Sequence, residues 1–317
     1  MSAKLPQFVF TQPGPLRLYS TVELLRLPPP TYQVEGVIPE GALVGLYGAP
    51  GHGKSFVAVD LAMSIGTGTP WLGRPVQKGF AVYISAEGGA GIGKRVHVWL
   101  KEHRLKASQA RVAWLTESVV IGHETESLDR LFSRLQKEVD EHPSLFIIDT
   151  LARCFEGNEN QQEDMGRFIA GVDQMRKEFK STVVVVHHTG KDGSSERGST
   201  AFRGAVDTML HVRMPEQGQI VVSCEKQKDD ENFADVRLTL RKDEEFNSCV
   251  IVNSGAEAEN DILGAIKEAG IEGVSYSALE ELVVAQGTSR STFKRRLKAL
   301  LVEGKVGRQD GIYRGKP

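Results

Sequence analysis

The chain is poor in cysteine. Only Cys154, Cys224 and Cys249 occur in 317 residues, without a CxxC pair or a Cys/His spacing. That excludes a disulfide framework and a cysteine-based zinc site, and it points to reduced thiols in a cytosol-like compartment. Long apolar runs are also missing. None approaches the roughly 20 residues that a membrane span needs, and the N-terminus has no charged-then-apolar leader pattern. A cytoplasmic protein with no membrane partner is therefore expected. Neither sign of charge dominates: 39 Lys and Arg stand against 41 Asp and Glu, for a net charge of -2 and a pI near 6.5. This excludes a globally basic nucleic-acid binder and confines any such contact to local patches. The length suits one large domain with a sizeable core, plus a small one.

What is present centres on Leu43 to Ile65, LVGLYGAPGHGKSFVAVDLAMSI. An apolar β-type run ends at Tyr47, a Gly-rich loop follows, and an amphipathic helix is expected after Lys54. Gly48, Ala49, Pro50, Gly51, His52, Gly53, Lys54 and Ser55 spell the phosphate-binding pattern G-x-x-x-x-G-K-[ST] in the frame that gives it meaning. Gly48, Gly51 and Gly53 are expected to turn with positive φ and let the backbone approach phosphate. Successive N–H groups at a helix N-terminus then form an anion-binding nest that runs on to Phe56. Lys54 can reach β- and γ-phosphates, and the Ser55 hydroxyl is placed to ligate Mg²⁺. ATP and Mg²⁺ are the cofactors this pattern implies.

Before this stretch, residues 1–36 carry Pro6, Pro13, Pro15 and Pro28–Pro30 around a short apolar piece. They read as an extended arm with a helical turn or two, lying across its own domain, docked on a neighbouring subunit or merely tethered. After it, Phe80–Ile84 reads as a buried strand followed at once by Glu87, where ligands collect beyond strand ends. Glu87 is either a carboxylate that polarises an attacking water or a helix N-terminal acid. Leu145–Ile148 is another buried strand, and it delivers Asp149 to the sheet end where a Mg²⁺-nucleotide site needs an acid. Thr182–Val186 ends in His187 and His188, read as polar sensors of phosphate or water, with a structural role open for either.

The segment 190–204 is Gly- and Ser-rich with Lys191, Arg197 and Arg203 interspersed. Met209–Val212, Ile220–Ser223 and Val236–Leu240 are expected to extend the sheet as antiparallel strands. Lys226 and Lys228 would share a face by strand alternation, as a functional pair or as a solvated charge run. From residue 256 three helices and a hairpin turning at Asp310-Gly311 predict a winged helix. Between Arg290 and Pro317 nine basic residues stand against two acidic ones. Arg290, Lys294 and Arg295 lie early on the expected recognition helix, behind Ser289 as N-cap. DNA contact and protein docking both remain open for this unit.

The ordered set GAPGHGKS, SAEGG, FIIDT, VVVVHHTGK, ERGSTAFRGAVDT and CEKQKD resembles the RecA-type ATPases, and within them the RepA-like hexameric helicases of plasmids and phages. The resemblance covers about residues 28–253. It implies an α/β fold, a RecA-like P-loop domain over 37–255 with a mostly parallel central sheet, followed by the winged helix at 256–317. It implies that Glu87 is the general base and that Asp149 holds Mg²⁺, directly or through water. Lys226 and Lys228 resemble the basic pair inserted across a subunit boundary to neutralise γ-phosphate charge, with Arg203 the competing candidate. It further implies a six-membered homo-oligomeric ring with nucleotide sites between subunits. Single-stranded DNA would pass along loops 153–164 and 190–204, tracked by Lys191, Arg197 and Arg203.

Two functions follow as expectations. One is an ATP-hydrolysing motor on single-stranded DNA, a replicative helicase with possible replication partners, whose winged helix binds duplex DNA. The other is an ATP-regulated DNA-binding scaffold that does not unwind.

Overall fold

The computed structural model describes residues 18–86, 89–122, 125–189, 200–285, 288 and 290–315. The chain divides into a unit of residues 1–31 and a unit of residues 32–317. In the first, one helical turn, α1 (Thr21–Leu24), is closed by a capping box. The Ser20 hydroxyl accepts from the Glu23 N–H, and the Glu23 carboxylate accepts from the Ser20 N–H at 2.8 Å. Val22, Leu24, Leu25 and Leu27 around it are exposed.

The second unit opens with a short hairpin, β1 (Tyr32–Val34) and β2 (Ile38–Pro39). Val34, Val37 and Ile38 there are fully buried. The compact unit thus begins at Tyr32, ahead of the residue-36 end expected for the arm. β3 (Leu43–Gly48) and α2 (Lys54–Thr67) follow, then β4 (Phe80–Ser85), α3 (Ala90–Glu102) and β5 (Val112–Leu115). Next come α4 (Glu126–Glu138), β6 (Pro143–Asp149), α5 (Leu151–Cys154), α6 (Gln162–Phe179) and β7 (Thr182–His188). α7 (Thr200–Ala205) leads into β8 (Thr208–Glu216), β9 (Gln219–Gln227), β10 (Val236–Asp243) and β11 (Ser248–Asn253).

These strands form one sheet in the order β11-β10-β9-β8-β3-β7-β6-β4-β5. From β8 to β5 all neighbours are parallel, and β9, β10 and β11 add on antiparallel. The architecture is therefore α/β with a large, mostly parallel central sheet. Strands β3, β4, β6 and β7 are apolar on both faces because both faces are covered. Val44, Leu46, Ile147 and Val186 pack on the side of α2 and α3. Leu43, Tyr47, Ile148 and Val185 pack on the side of α4 to α7.

Two expectations need correction, and one strand was not expected. β8 runs parallel to β3, where an antiparallel extension was expected; the stretch from His188 to Thr208 exceeds the roughly dozen residues that a parallel crossover requires. α2 is not amphipathic: every residue from Val57 to Gly66 is buried, because the helix lies under the sheet with α3 and β11 also against it. β11 was not anticipated, although Val250, Ile251 and Val252 are all buried in it.

Beyond β11 the chain passes without a loop into α8 (Ser254–Glu268), so the boundary expected at 255/256 falls in the first turn of that helix. β12 (Val274–Ser275), α9 (Tyr276–Ala285), α10 (Arg290–Val302), β13 (Val306–Gln309) and β14 (Ile312–Gly315) complete the unit. The last two pair antiparallel around Asp310-Gly311, with β12 on the other edge of β14. Ile262, Ile266, Leu279, Val283, Phe293, Leu297, Leu300, Val306 and Tyr313 make a separate apolar core.

Candidate nucleotide site

The site grows from the end of β3. Gly48 does not turn with positive φ as expected. It is glycine because β8 comes too close, since a Cβ there would lie 2.2 Å from the Val212 carbonyl oxygen. Gly51 (φ +78°) and Gly53 (φ +88°) do adopt the left-handed conformation, and Gly53 is the N-cap of α2. The Gly53 carbonyl accepts from Phe56 and Val57 N–H at 2.9 and 3.0 Å, which starts the helix. The N–H groups of the first turn therefore stand at the loop's mouth, at the positive end of the helix.

Lys54 is buried. Its Nζ donates to the carbonyls of Gly48 (2.9 Å) and Ala49 (3.0 Å) and lies 3.2 Å from His188 Nδ1. β7 sits beside β3, with Gly48 opposite His188, so strand pairing alone brings this histidine to the loop. Alternation sends His187 to the other face, where its ring meets Phe202 edge-on at 5.9 Å. The two histidines are thus separated: His188 joins Lys54, and His187 is core.

Asp149, 5% exposed, ends β6 on the α2 side of the sheet. The Tyr83 hydroxyl donates to its Oδ2 at 2.6 Å. The phenol gives the carboxylate a fixed orientation. Sequence reasoning missed Tyr83, yet a tyrosine inside the apolar strand FAVYIS was a signal, because a buried phenol needs a partner for its O–H. Ala86, whose N–H donates to the Asp149 carbonyl at 2.9 Å, brings the chain out of β4 next to this acid. Glu87 itself lies outside the described residues, as do Lys191, Arg197 and Ser289. Phe56 is half-buried, with the Arg95 guanidinium of α3 over its ring at 4.4 Å; Arg95 was also missed. Ser55 follows Lys54 in the first turn of α2.

On the opposite face a second polar cluster backs the loop. The Tyr47 ring stacks on His211 at 4.4 Å, and His211 Nδ1 lies 3.0 Å from Glu225. The other Glu225 oxygen accepts from Arg203 at 3.3 Å. Burial holds His211 below the ordinary imidazole range in spite of Glu225, and burial also raises the Tyr47 phenol. Both rings are therefore neutral at pH 7.

Lys226 is placed differently from a solvated lysine. Its Nζ donates to the carbonyls of Arg203 (2.9 Å), Gly204 (3.2 Å) and Val206 (2.6 Å), the ends of α7, and burial lowers its pKa. Lys228 is exposed, 3.5 Å from Asp207 Oδ1. Asp207 in turn accepts from Leu43 N–H and Arg176. Both lysines therefore engage the connection from α7 to β8 of their own chain. Arg290, Lys294 and Arg295 are exposed on α10, opposite the buried Phe293, Leu297 and Leu300. Lys294 lies 4.0 Å from Glu280 of α9.

Residues of the right kinds for a Mg²⁺-nucleotide are thus gathered at the ends of adjacent parallel strands. Among the described residues no group of three or more His, Cys, Asp or Glu could hold a metal ion alone. A hydroxyl and a single carboxylate suit a cation that takes its other oxygens from phosphate and water. No helix among the described residues is long and apolar enough to cross a membrane.

Residues 17–194 match a family model described as an AAA domain. That span includes the phosphate loop, Asp149 and both histidines. Among solved structures, a crystal structure of the RadB recombinase superposes with a TM-score of 0.48 and 16% identity, over 67% of this chain and 91% of that chain. No curated protein matches the chain in sequence.

Proposed function

Because the chain belongs to the AAA domain family, whose model takes in more than half of it, we propose that it is an ATP-driven motor on single-stranded DNA. It is a P-loop ATPase of the AAA domain family built on an α/β fold with a large, mostly parallel sheet. We further propose a RecA-type, ring-shaped, RepA-like replicative helicase, hexameric, with a winged helix at residues 256–317. The observation that carries the nucleotide part is the meeting of Lys54 with His188 at the phosphate loop, one strand away from Asp149 held by Tyr83.

In this reading the loop N–H groups between Gly48 and Phe56, Pro50 excepted, cradle phosphate, and Ser55 and Asp149 would hold Mg²⁺, which would supply charge neutralisation. Lys54 exchanges its bonds to the Gly48 and Ala49 carbonyls for phosphate oxygens. His188 hydrogen-bonds the terminal phosphate or the attacking water. Glu87 takes the proton from that water, a role worth about 10²–10⁴-fold in rate. Closure of a neighbouring subunit brings a cation to the far side. Arg203 is the better placed of the candidates for that task, because Lys226 is committed to three carbonyls at the end of α7. The Arg203 guanidinium is partly exposed and donates to Glu225 at 3.3 Å. DNA contact is assigned to Lys191, Arg197 and Arg203 for the single strand, and to Arg290, Lys294 and Arg295 for duplex.

The rival, an ATP-regulated DNA-binding scaffold, draws support from the same lysines, which are engaged within their own chain. Glu87→Gln separates the two. Hydrolysis measured with and without single-stranded DNA should be stimulated in the wild type and fall by about 10²-fold or more in the variant, with ATP and DNA binding retained. Hydrolysis indifferent to DNA, together with full DNA-dependent function in the variant, would favour the scaffold.

A further inference from the structure

Behind the phosphate-loop helix, away from the phosphates, lies a cavity of about 250 Å³. That is roughly eight water volumes, room for a small molecule. Leu72, Leu238, Ile251 and Val252 make its apolar walls, and Asp60, Glu102, His103 and Asn253 its polar ones. We infer that this cavity is a binding site for a small organic cation, an alkylammonium or guanidinium, with the Asp60 carboxylate as its anchor.

Asp60 sits in the middle of α2 between Val59 and Leu61, only 9% exposed. Its Oδ1 accepts the Trp99 indole N–H at 2.7 Å, and that indole stacks on the His103 ring at 4.0 Å. The elements around it offer little positive charge. α3 contributes Trp99, His103 and Glu102; the last is paired with Arg241 of β10. β11 contributes the Asn253 amide, and the turn from Pro70 to Gly73 contributes no charge. Burial lowers the pKa of His103, so this ring is neutral near pH 7. Burial also pushes Asp60 up to about 7, and the Trp99 bond is the one contact that opposes it.

A buried carboxylate with one neutral donor lacks a counter-charge, and a cation entering the cavity supplies it. The walls select among ligands. An anion would face both Asp60 and Glu102. A divalent metal wants six or more oxygen ligands, which apolar walls do not offer. An organic cation with a short hydrocarbon body satisfies both the carboxylate and the apolar side.

The test is calorimetric titration of the full chain with butylammonium and butylguanidinium, with butanol and butyrate as neutral and anionic counterparts, followed in parallel by tryptophan fluorescence. The cations should bind and their counterparts should not. Affinity should rise about tenfold per pH unit from pH 5.5 to 7 and level off above, as Asp60 loses its proton. Asp60→Asn, which keeps an acceptor for the Trp99 N–H, should abolish binding. Ile251→Phe, which fills the cavity and leaves Asp60 in place, should abolish it too. Equal binding of butanol and butylammonium, no binding of any probe at pH 8, or cation binding unchanged in both variants would overturn the assignment.

Discussion

Single side chains carry the sharpest consequences, and Tyr83 is the first. Its hydroxyl is bonded to Asp149 at 2.6 Å, and a hydrogen bond to a charged group is worth about 1.5–3 kcal/mol. Tyr83→Phe should therefore raise the Mg²⁺ concentration for half-maximal hydrolysis about tenfold or more, read from a magnesium titration. An unchanged midpoint would mean that the phenol does not position the acid. Asp60 has the opposite sign of effect. Its folded pKa, about 7, lies above the ordinary 3.8, so the folded chain holds the proton more tightly than the unfolded one. Stability should fall as pH rises from about 4 to about 7 and stay flat above. Asp60→Asn should remove that slope and stabilise the protein by a few kcal/mol at pH 8, checked by denaturant unfolding across this range. Lys54, Ser55 and Asp149 stand in motifs that the sequence spells out, and Tyr83 leaves a trace as a phenol inside an apolar strand. Arg95, Glu225 and His211 leave none, because their significance comes from partners on other strands or helices that no local pattern records.

At the scale of elements, the strands and helices with strong periodicity were legible, and their pairings were not. Leu128, Leu131, Phe132 and Leu135 recur at helical spacing and are buried on α4. α2 misled for a physical reason: a helix enclosed on several sides loses its polar stripe, and VAVDLAMSI then hides which face is inward. β8 misled because strand direction is decided by the crossover, not by the strand's own residues. Lys226 shows how packing assigns a residue that sequence leaves ambiguous. Its ammonium closes the C-terminal end of α7, where a cation also suits the helix dipole. Lys226→Met should leave those carbonyls without their donor and loosen α7 by about 1–3 kcal/mol, seen as roughly tenfold or faster amide exchange in residues 200–206. Exchange unchanged in α7, with hydrolysis lost only in mixed assemblies, would instead make it a residue acting on a neighbour.

For the molecule as a whole, the sheet places the phosphate loop and Asp149 on one end, and the C-terminal helices add a second apolar core with a basic outer face. The hairpin was legible from its turn, and residues 306–315 do turn at Asp310-Gly311. If α10 lies against DNA phosphates, replacing Arg290, Lys294 and Arg295 by Ala should weaken duplex binding across sequences. The slope of log K against log salt should fall by about three, one for each lost phosphate contact. Unchanged binding would reassign this face to a protein partner.

If hydrolysis at the phosphate loop drives movement along a single strand, as proposed, the chain unwinds a forked duplex. With ATP and Mg²⁺ the wild-type chain should separate the strands, and Lys54→Ala, which removes the cation that reaches the phosphates, should abolish both unwinding and hydrolysis. DNA-stimulated hydrolysis by the wild type with no strand separation on any fork polarity would contradict the motor and leave an ATPase that binds DNA.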